Sequence, residues 1–131
     1  MSRLILSALL AGAVVVPTYA LAEEVVVYSA RKEHLIKPLF DRYTAETGVP
    51  VKYITDKAGP LLQRLRAEDK RTPADLLITV DAGNLWHAAE SGVLAEIDSA
   101  VLTANVPANL RDPGGRWFGL SERARTIVYS T

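Results

Sequence analysis

The sequence predicts an α/β protein whose mainly parallel sheet is flanked by helices. Short apolar stretches rich in β-branched residues, typical of buried strands, alternate with longer stretches of helical periodicity. A repeated strand–helix order of this kind produces parallel strands joined by crossover helices. The composition fits a globular fold, because 15 basic residues balance 15 acidic ones and 49% of the 131 residues are hydrophobic.

Three strands are predicted at the apolar, β-branched stretches 25–28, 49–54 and 76–80, and the first is expected to be buried on both faces. The first helix is expected to begin near His34, with Pro38 in its first turn, and to end at Gly48. Its apolar residues follow the helical repeat, so they are expected to form one buried face: Leu35, Ile36, Leu39, Phe40 and Tyr43.

The later elements are marked by turn and capping residues. The second helix is expected to open at Gly59 and Pro60, and the third to end before Gly92. Asp56 and Asp81 follow strands, so we expect them to cap these helices. Beyond them we expect a short helix at 98–104, a turn at 114–115 and a last strand at 126–129.

The first 22 residues have the pattern of a secretory signal peptide. Arg3 precedes the apolar run 4–16, and Ala20-Leu21-Ala22 has the small-x-small form of a cleavage site. A membrane anchor is the alternative, but a spanning helix needs about 20 apolar residues. We therefore expect an exported, periplasmic protein whose mature chain is 23–131.

Composition and motifs argue against several functions. Without cysteine there is no disulfide framework, thiolate metal site or cysteine nucleophile. The neutral charge offers no basic surface for nucleic acid. The chain contains no Gly-x-Gly-x-x-Gly or Walker sequence, so no nucleotide cofactor is expected.

Two groups of arginines are candidates for binding an anion. Ligands of parallel sheets bind outside the carboxyl ends of the strands, and Arg31 follows the first strand there. The helix start beside it favours anions, although a solvated surface arginine is an equal alternative. Arg123 and Arg125 precede the last strand, either as a second anion anchor or as a charged edge paired with Glu122.

Tyr28, Tyr129 and His34 are lesser candidates for metal ligands. Phenolate oxygens suit ferric iron, and the two tyrosines lie at or near strand ends. Half-buried strand aromatics are the alternative for both tyrosines. His34 lies close to Arg31, where a surface histidine is the simpler interpretation.

Residues 119–123 approach the Gly-x-Ser-x-Gly nucleophile elbow, with Ser121 as the nucleophile. The last glycine is missing, and the segment precedes a strand instead of following one. A secreted α/β hydrolase is therefore a remote alternative.

Three blocks resemble periplasmic ferric-iron-binding proteins, the substrate-binding components of bacterial iron ABC transporters. They are Val27–Phe40, Thr72–Gly83 and Ser121–Tyr129, and the likeness covers 24–131 in order. The resemblance implies the N-terminal lobe of a type II periplasmic binding protein and the start of its crossover to a second lobe. We therefore expect a chain that is incomplete at its C-terminus.

The resemblance also implies a function without catalysis. Such a protein captures ferric iron, often with a synergistic anion such as carbonate, and delivers it as a monomer to an inner-membrane permease. Arg31 and Arg123 match the arginines beside the anion. No tyrosine here is followed by another, so the main tyrosine ligands are expected after Thr131. The alternative cargo is an oxyanion, a phosphonate or a small organic anion held by the same arginines.

Overall fold

The computed structural model describes residues 24–122, and its centre is a three-stranded parallel sheet. The strands are β1 (Val25–Ser29), β2 (Val51–Thr55) and β3 (Leu76–Ile78), in the order β2–β1–β3. The predicted parallel sheet is confirmed. The signal peptide, Arg123, Arg125, Tyr129 and the predicted strand 126–129 lie outside the described residues.

Helices follow each of these strands. Their bounds are α1 (Glu33–Thr47), α2 (Ala58–Glu68), α3 (Ala82–Glu90) and α4 (Ala100–Asn105), with short 3-10 turns at Asp69–Arg71 and Ala108–Leu110. Within residues 24–122, no helix has the length and apolar character that a membrane span requires.

β1 is buried on both faces and organises the core. Val27, 1% exposed, packs on the α1 side, and Tyr28, 0% exposed, packs on the α2 side. The side chains that meet them are Ile36 and Phe40 of α1 and Leu61 and Leu65 of α2. The two helices therefore cover opposite faces of the sheet and leave its carboxyl edge open.

The first helix starts within one residue of the predicted His34, but the predicted place of Pro38 and part of the predicted buried face are wrong. α1 begins at Glu33, because the carbonyl of Lys32 already accepts from the Leu35 and Ile36 amides (2.9 and 3.3 Å). Pro38 therefore lies beyond the first turn, inside the helix. Only Ile36 and Phe40 are buried.

The neighbouring apolar stripe of α1 is exposed. Its members are Leu35 (59% exposed), Leu39 (57%) and Tyr43 (42%). The prediction failed for these residues because helical periodicity places all five apolar side chains on one side of the helix. The sheet covers only the part of that side that carries Ile36 and Phe40.

The strand and cap predictions also need correction. β2 starts at Val51, since the Val49 amide donates to Thr47 Oγ1 (3.1 Å). β3 ends at Ile78, and the Thr79 hydroxyl donates to the Asp81 carbonyl (2.7 Å).

Asp81 caps α3 as predicted, because its carboxylate accepts from the Asn84 amide (2.9 Å). Asp56 does not cap α2. Its carboxylate accepts from the next amide along the chain, that of Lys57 (2.6 Å), and Lys57 itself occupies the N-cap position.

A compact turn holds the segment that follows α4. The buried carboxylate of Asp112 accepts from the Arg116 guanidinium (2.8 Å) and amide (3.1 Å). The chain then returns beside itself, and the Gly119 amide donates to the Leu110 carbonyl (2.7 Å). A Cβ atom on Gly119 would lie 2.8 Å from that carbonyl oxygen, so this position requires glycine.

We expect Gly119→Ala to lower the free energy of unfolding by about 1–3 kcal/mol, since the backbone must shift to admit the methyl group. Gly59→Ala is the matched control. A Cβ atom there meets nothing within 4 Å, and alanine suits a helix better by up to about 1 kcal/mol. Urea denaturation of both variants measures the difference, and equal stabilities would contradict the close approach.

Candidate functional site

The carboxyl edge of the sheet brings two turns together. The parallel register pairs Ser29 with Thr55, so both strands end at the same level. The Asp56 amide donates to the Ser29 carbonyl (3.2 Å), and the Ala30 amide donates to the Ile78 carbonyl (2.7 Å). The first bond holds the β2–α2 turn beside the end of β1, and the second ties the β1–α1 turn to the end of β3.

A solvent-open cavity of about 310 Å³ lies between these two turns. Its lining residues come three from each turn: Ala30, Arg31 and Lys32, then Thr55, Asp56 and Lys57. This is where ligands of parallel sheets bind. The structure therefore places Arg31, the principal candidate from the sequence, in a cavity at the expected edge.

The cations of this cavity have no partner among the residues that the structure describes. Within residues 24–122, the side chains of Arg31, Lys32 and Lys57 form no hydrogen bond or ion pair. Other cations are paired, such as Lys37 with Asp41 (2.6 Å) and Arg64 with Glu68 (2.7 Å). Three positive charges thus face the single carboxylate of Asp56, and the cavity favours anions.

Arg31 is the best placed of the three cations. It is half-buried, whereas Lys32 and Lys57 are exposed. Its amide donates to the hydroxyl of Ser29 (3.2 Å), a side chain that is 0% exposed. This bond holds the start of the turn, so the guanidinium projects from a fixed backbone.

Tyr28 lies away from this cavity. Its hydroxyl donates to both carboxylate oxygens of Glu68 (3.0 and 2.9 Å), and the Arg64 guanidinium lies 5.0 Å from the centre of its ring. The Thr72 hydroxyl donates to the same carboxylate (2.9 Å). These contacts join β1 to α2 and argue against Tyr28 as an iron ligand.

The protonation of this cluster supports a structural role. Burial and the bond to Glu68 raise the pKa of Tyr28, which opposes the phenolate that a metal would need. The hydrogen bond from Arg64 lowers the pKa of Glu68. Because this pKa lies below its ordinary value, Glu68 stabilises the fold at neutral pH and loses that effect as the pH falls through the lowered value.

The remaining candidates are not brought to one centre. His34 is exposed in the first turn of α1. In the part of the chain that the structure describes, no group of three His, Asp or Glu side chains is placed to hold a metal ion.

Ser121 is exposed and lies outside any helix or strand. The close approach of Gly119 to Leu110 explains the glycine of the elbow-like segment without a nucleophile.

Sequence reasoning missed Thr55 and Lys57 as site residues. Their position, directly after a predicted strand, was the available signal, but the register that sets them beside Arg31 is a tertiary feature. It also missed the partner of Tyr28, since Glu68 is 40 residues away.

Residues 29–131 match the family described as bacterial extracellular solute-binding protein. The chain belongs to this family. Its fold is shared with solved structures of type II periplasmic binding proteins, so the predicted fold class is confirmed.

Several known proteins are similar to this chain over most of its length. Iron uptake protein A1 of Synechocystis is 44% identical over 108 residues, which are 82% of this chain and 30% of the relative. A Trichodesmium protein (IdiA, FutA) solved with iron and citrate ligands has a TM-score of 0.70 and 42% identity over 73% of this chain and 30% of its own.

The ferric binding protein of Campylobacter jejuni has a TM-score of 0.71 and 36% identity over 72% of this chain and 30% of its own. The chain thus spans 30% of the length of each of these relatives. The resemblance to periplasmic ferric-iron-binding proteins is confirmed. These relatives are binding and transport proteins and not enzymes, in agreement with the expected absence of catalysis.

We expect Glu68→Gln to lower stability at neutral pH, because it removes the charge that Arg64 and Tyr28 contact. The difference from the parent should shrink as the pH falls through the lowered pKa of Glu68. Glu46→Gln is the matched control, since Arg42–Glu46 has the same spacing on an exposed surface. Urea denaturation across pH measures both, and equal losses would contradict the structural role of Glu68.

Proposed function

We propose that the protein captures ferric iron in the periplasm with a synergistic anion such as carbonate. The observation that carries the proposal is the half-buried Arg31 in the cavity at the carboxyl edge of the sheet, whose guanidinium has no partner within residues 24–122. Its relatives' names support iron as the cargo, since they include Fe(3+)-binding periplasmic protein of Serratia marcescens and major ferric iron-binding protein of Neisseria gonorrhoeae.

The anion resolves an electrostatic conflict in this proposal. Arg31 repels a bare trivalent cation, whereas an anion bound to the guanidinium presents its remaining oxygens to the metal. Arginine suits this role because its planar fork donates two parallel hydrogen bonds to a carboxylate or carbonate. Arg123, which lies outside the described residues, is proposed as the second cation at the anion.

The iron ligands themselves are proposed to lie elsewhere. Residues 24–122 contribute cations at the cavity and no group of His, Asp and Glu that suits a metal. Ferric iron needs several anionic oxygen ligands from fixed positions. We place its main tyrosine ligands beyond Thr131.

Delivery to an ABC permease in the inner membrane completes the proposal. The signal-like segment 1–22 supports export, and the family is one of extracellular solute-binding proteins. We propose that the protein acts as a monomer in the periplasm and hands over its iron without chemical change.

A second candidate function is the binding of an anion as the cargo itself. The three unpaired cations at the cavity favour an oxyanion, a phosphonate or a small organic anion by charge alone. The two functions differ in one respect, which is whether the protein as isolated from its host contains iron.

We expect the protein from its host to carry about one ferric ion and to show a visible tyrosinate-to-iron band. Arg31→Ala should weaken iron binding roughly tenfold or more, and the loss should be larger when bicarbonate is depleted, because the anion has lost a charged donor. Iron titration at two bicarbonate concentrations measures this.

Lys70→Ala is the charge control, since Lys70 is exposed, unpaired within residues 24–122 and outside the cavity of Arg31. Tyr28→Phe is the tyrosine control and should keep the visible band. Equal effects of Arg31→Ala and Lys70→Ala would contradict the role of Arg31, and a bound anion without iron would favour the second function.

A further inference from the structure

We propose that Asp56 determines the specificity of the cavity, because its charge weakens the binding of an anion alone and strengthens the binding of ferric iron together with the anion. The inference rests on the proposed function and deepens it. It gives a role to the one carboxylate that lines the cavity, where a negative charge among three cations opposes a free anionic ligand.

The hydrogen bonds of Asp56 do not explain its negative charge. Within residues 24–122, its carboxylate accepts only from the adjacent Lys57 amide (2.6 Å) and does not cap α2. An asparagine could accept the same bond through its side-chain carbonyl. The dipole of α2 favours a negative charge near the helix start, but this effect changes stability and not the choice of ligand.

Asp56 also forms no ion pair with the cations of its own cavity. Other exposed carboxylates of this protein are paired with nearby cations, as Asp41 is with Lys37 (2.6 Å). Within residues 24–122 no such pair joins Asp56 to Arg31 or to either lysine that lines the cavity. The negative charge of Asp56 is therefore not compensated by an ion pair with the groups around it, and it acts on a ligand that enters the cavity.

The backbone fixes this charge in the same cavity as Arg31. The Asp56 amide donates to the Ser29 carbonyl (3.2 Å), which holds the first residue after β2 at the end of β1. The Ser29 hydroxyl in turn accepts from the Arg31 amide (3.2 Å). One buried serine thus contacts both residues through its carbonyl and its hydroxyl, so the negative and the positive group line the cavity from adjacent turns.

Opposite charges in one cavity discriminate between a free anion and an anion that arrives with a metal. A free dianion is attracted by Arg31 and repelled by Asp56. Ferric iron with one carbonate carries a net positive charge, so Asp56 attracts this pair while Arg31 donates to the carbonate oxygens. The carboxylate therefore penalises one ligand and favours the other, and it makes the binding of iron and anion more cooperative.

The test compares Asp56→Asn with the parent, using the protein as its host produces it. Asparagine keeps an acceptor for the Lys57 amide and removes the charge. In the iron-free protein, we expect the affinities for inorganic phosphate and for bicarbonate to rise about threefold or more by calorimetry. In an iron titration at fixed bicarbonate, the affinity for ferric iron should fall about threefold or more, because the metal has lost an attractive charge.

Two further variants serve as controls. Asp56→Glu keeps the charge and should retain the parent's preference. Asp98→Asn removes a carboxylate that is exposed, outside the cavity and unpaired within residues 24–122, and it should change neither affinity. The opposite signs of the two expected changes separate the role of the charge from damage to the fold, which would weaken the binding of both ligands.

A phosphate affinity of Asp56→Asn no higher than that of the parent would overturn the proposal, whether or not the parent binds phosphate. An equal gain in Asp98→Asn, or an equal rise in the affinity for ferric iron with bicarbonate, would also overturn it. If the parent binds no ferric iron with bicarbonate, the proposed function fails. The phosphate measurement on the iron-free protein then still decides whether Asp56 weakens the binding of free anions.

Discussion

The burial of β1 on both faces is the constraint on which the rest of the structure depends. Val27 and Tyr28 point to opposite sides, and each meets a helix that follows one of the paired strands. A strand covered by α1 and α2 and bonded to β2 and β3 has no freedom to slide, because a slip of one residue would exchange the faces of Val27 and Tyr28 and separate the Tyr28 hydroxyl from Glu68. Its carboxyl end therefore delivers Arg31 to a defined place.

The charges of the molecule separate into two groups with different consequences. Some cations are paired with groups of the folded protein. Arg64 contacts Glu68 and the ring of Tyr28, and Arg116 contacts the buried Asp112. The cations at the carboxyl edge have no such partners within residues 24–122. Three cations without such partners thus lie together where the sheet architecture binds ligands, and their position supports an anionic component of the cargo.

As far as α4, the sequence was sufficient for the order of the strands and helices and for the edge of the sheet that holds the cavity. β-branched runs and the glycines after α1 and α3 are local signals, so β1 and the ends of these helices were found. Pro38 was wrongly placed in the first turn because Lys32, at the N-cap position, has no capping side chain that would mark the helix start in the sequence.

Features that depend on tertiary contacts were missed for a physical reason. The exposure of Leu35 and Leu39 depends on how much of α1 the sheet covers, which periodicity does not encode. Tyr28 was a candidate ligand because tyrosine suits ferric iron, and only its distant partner Glu68 shows that its hydroxyl is engaged. Lys57 became a site residue through the β1–β2 register.

The most direct test of the account is a crystal structure of the host-produced protein grown with ferric citrate, with iron located by anomalous diffraction. We predict iron facing the cavity between the β1–α1 and β2–α2 turns, with an anion oxygen within hydrogen-bond distance of the Arg31 guanidinium. Iron bound elsewhere, with Arg31 in contact only with solvent, would contradict it.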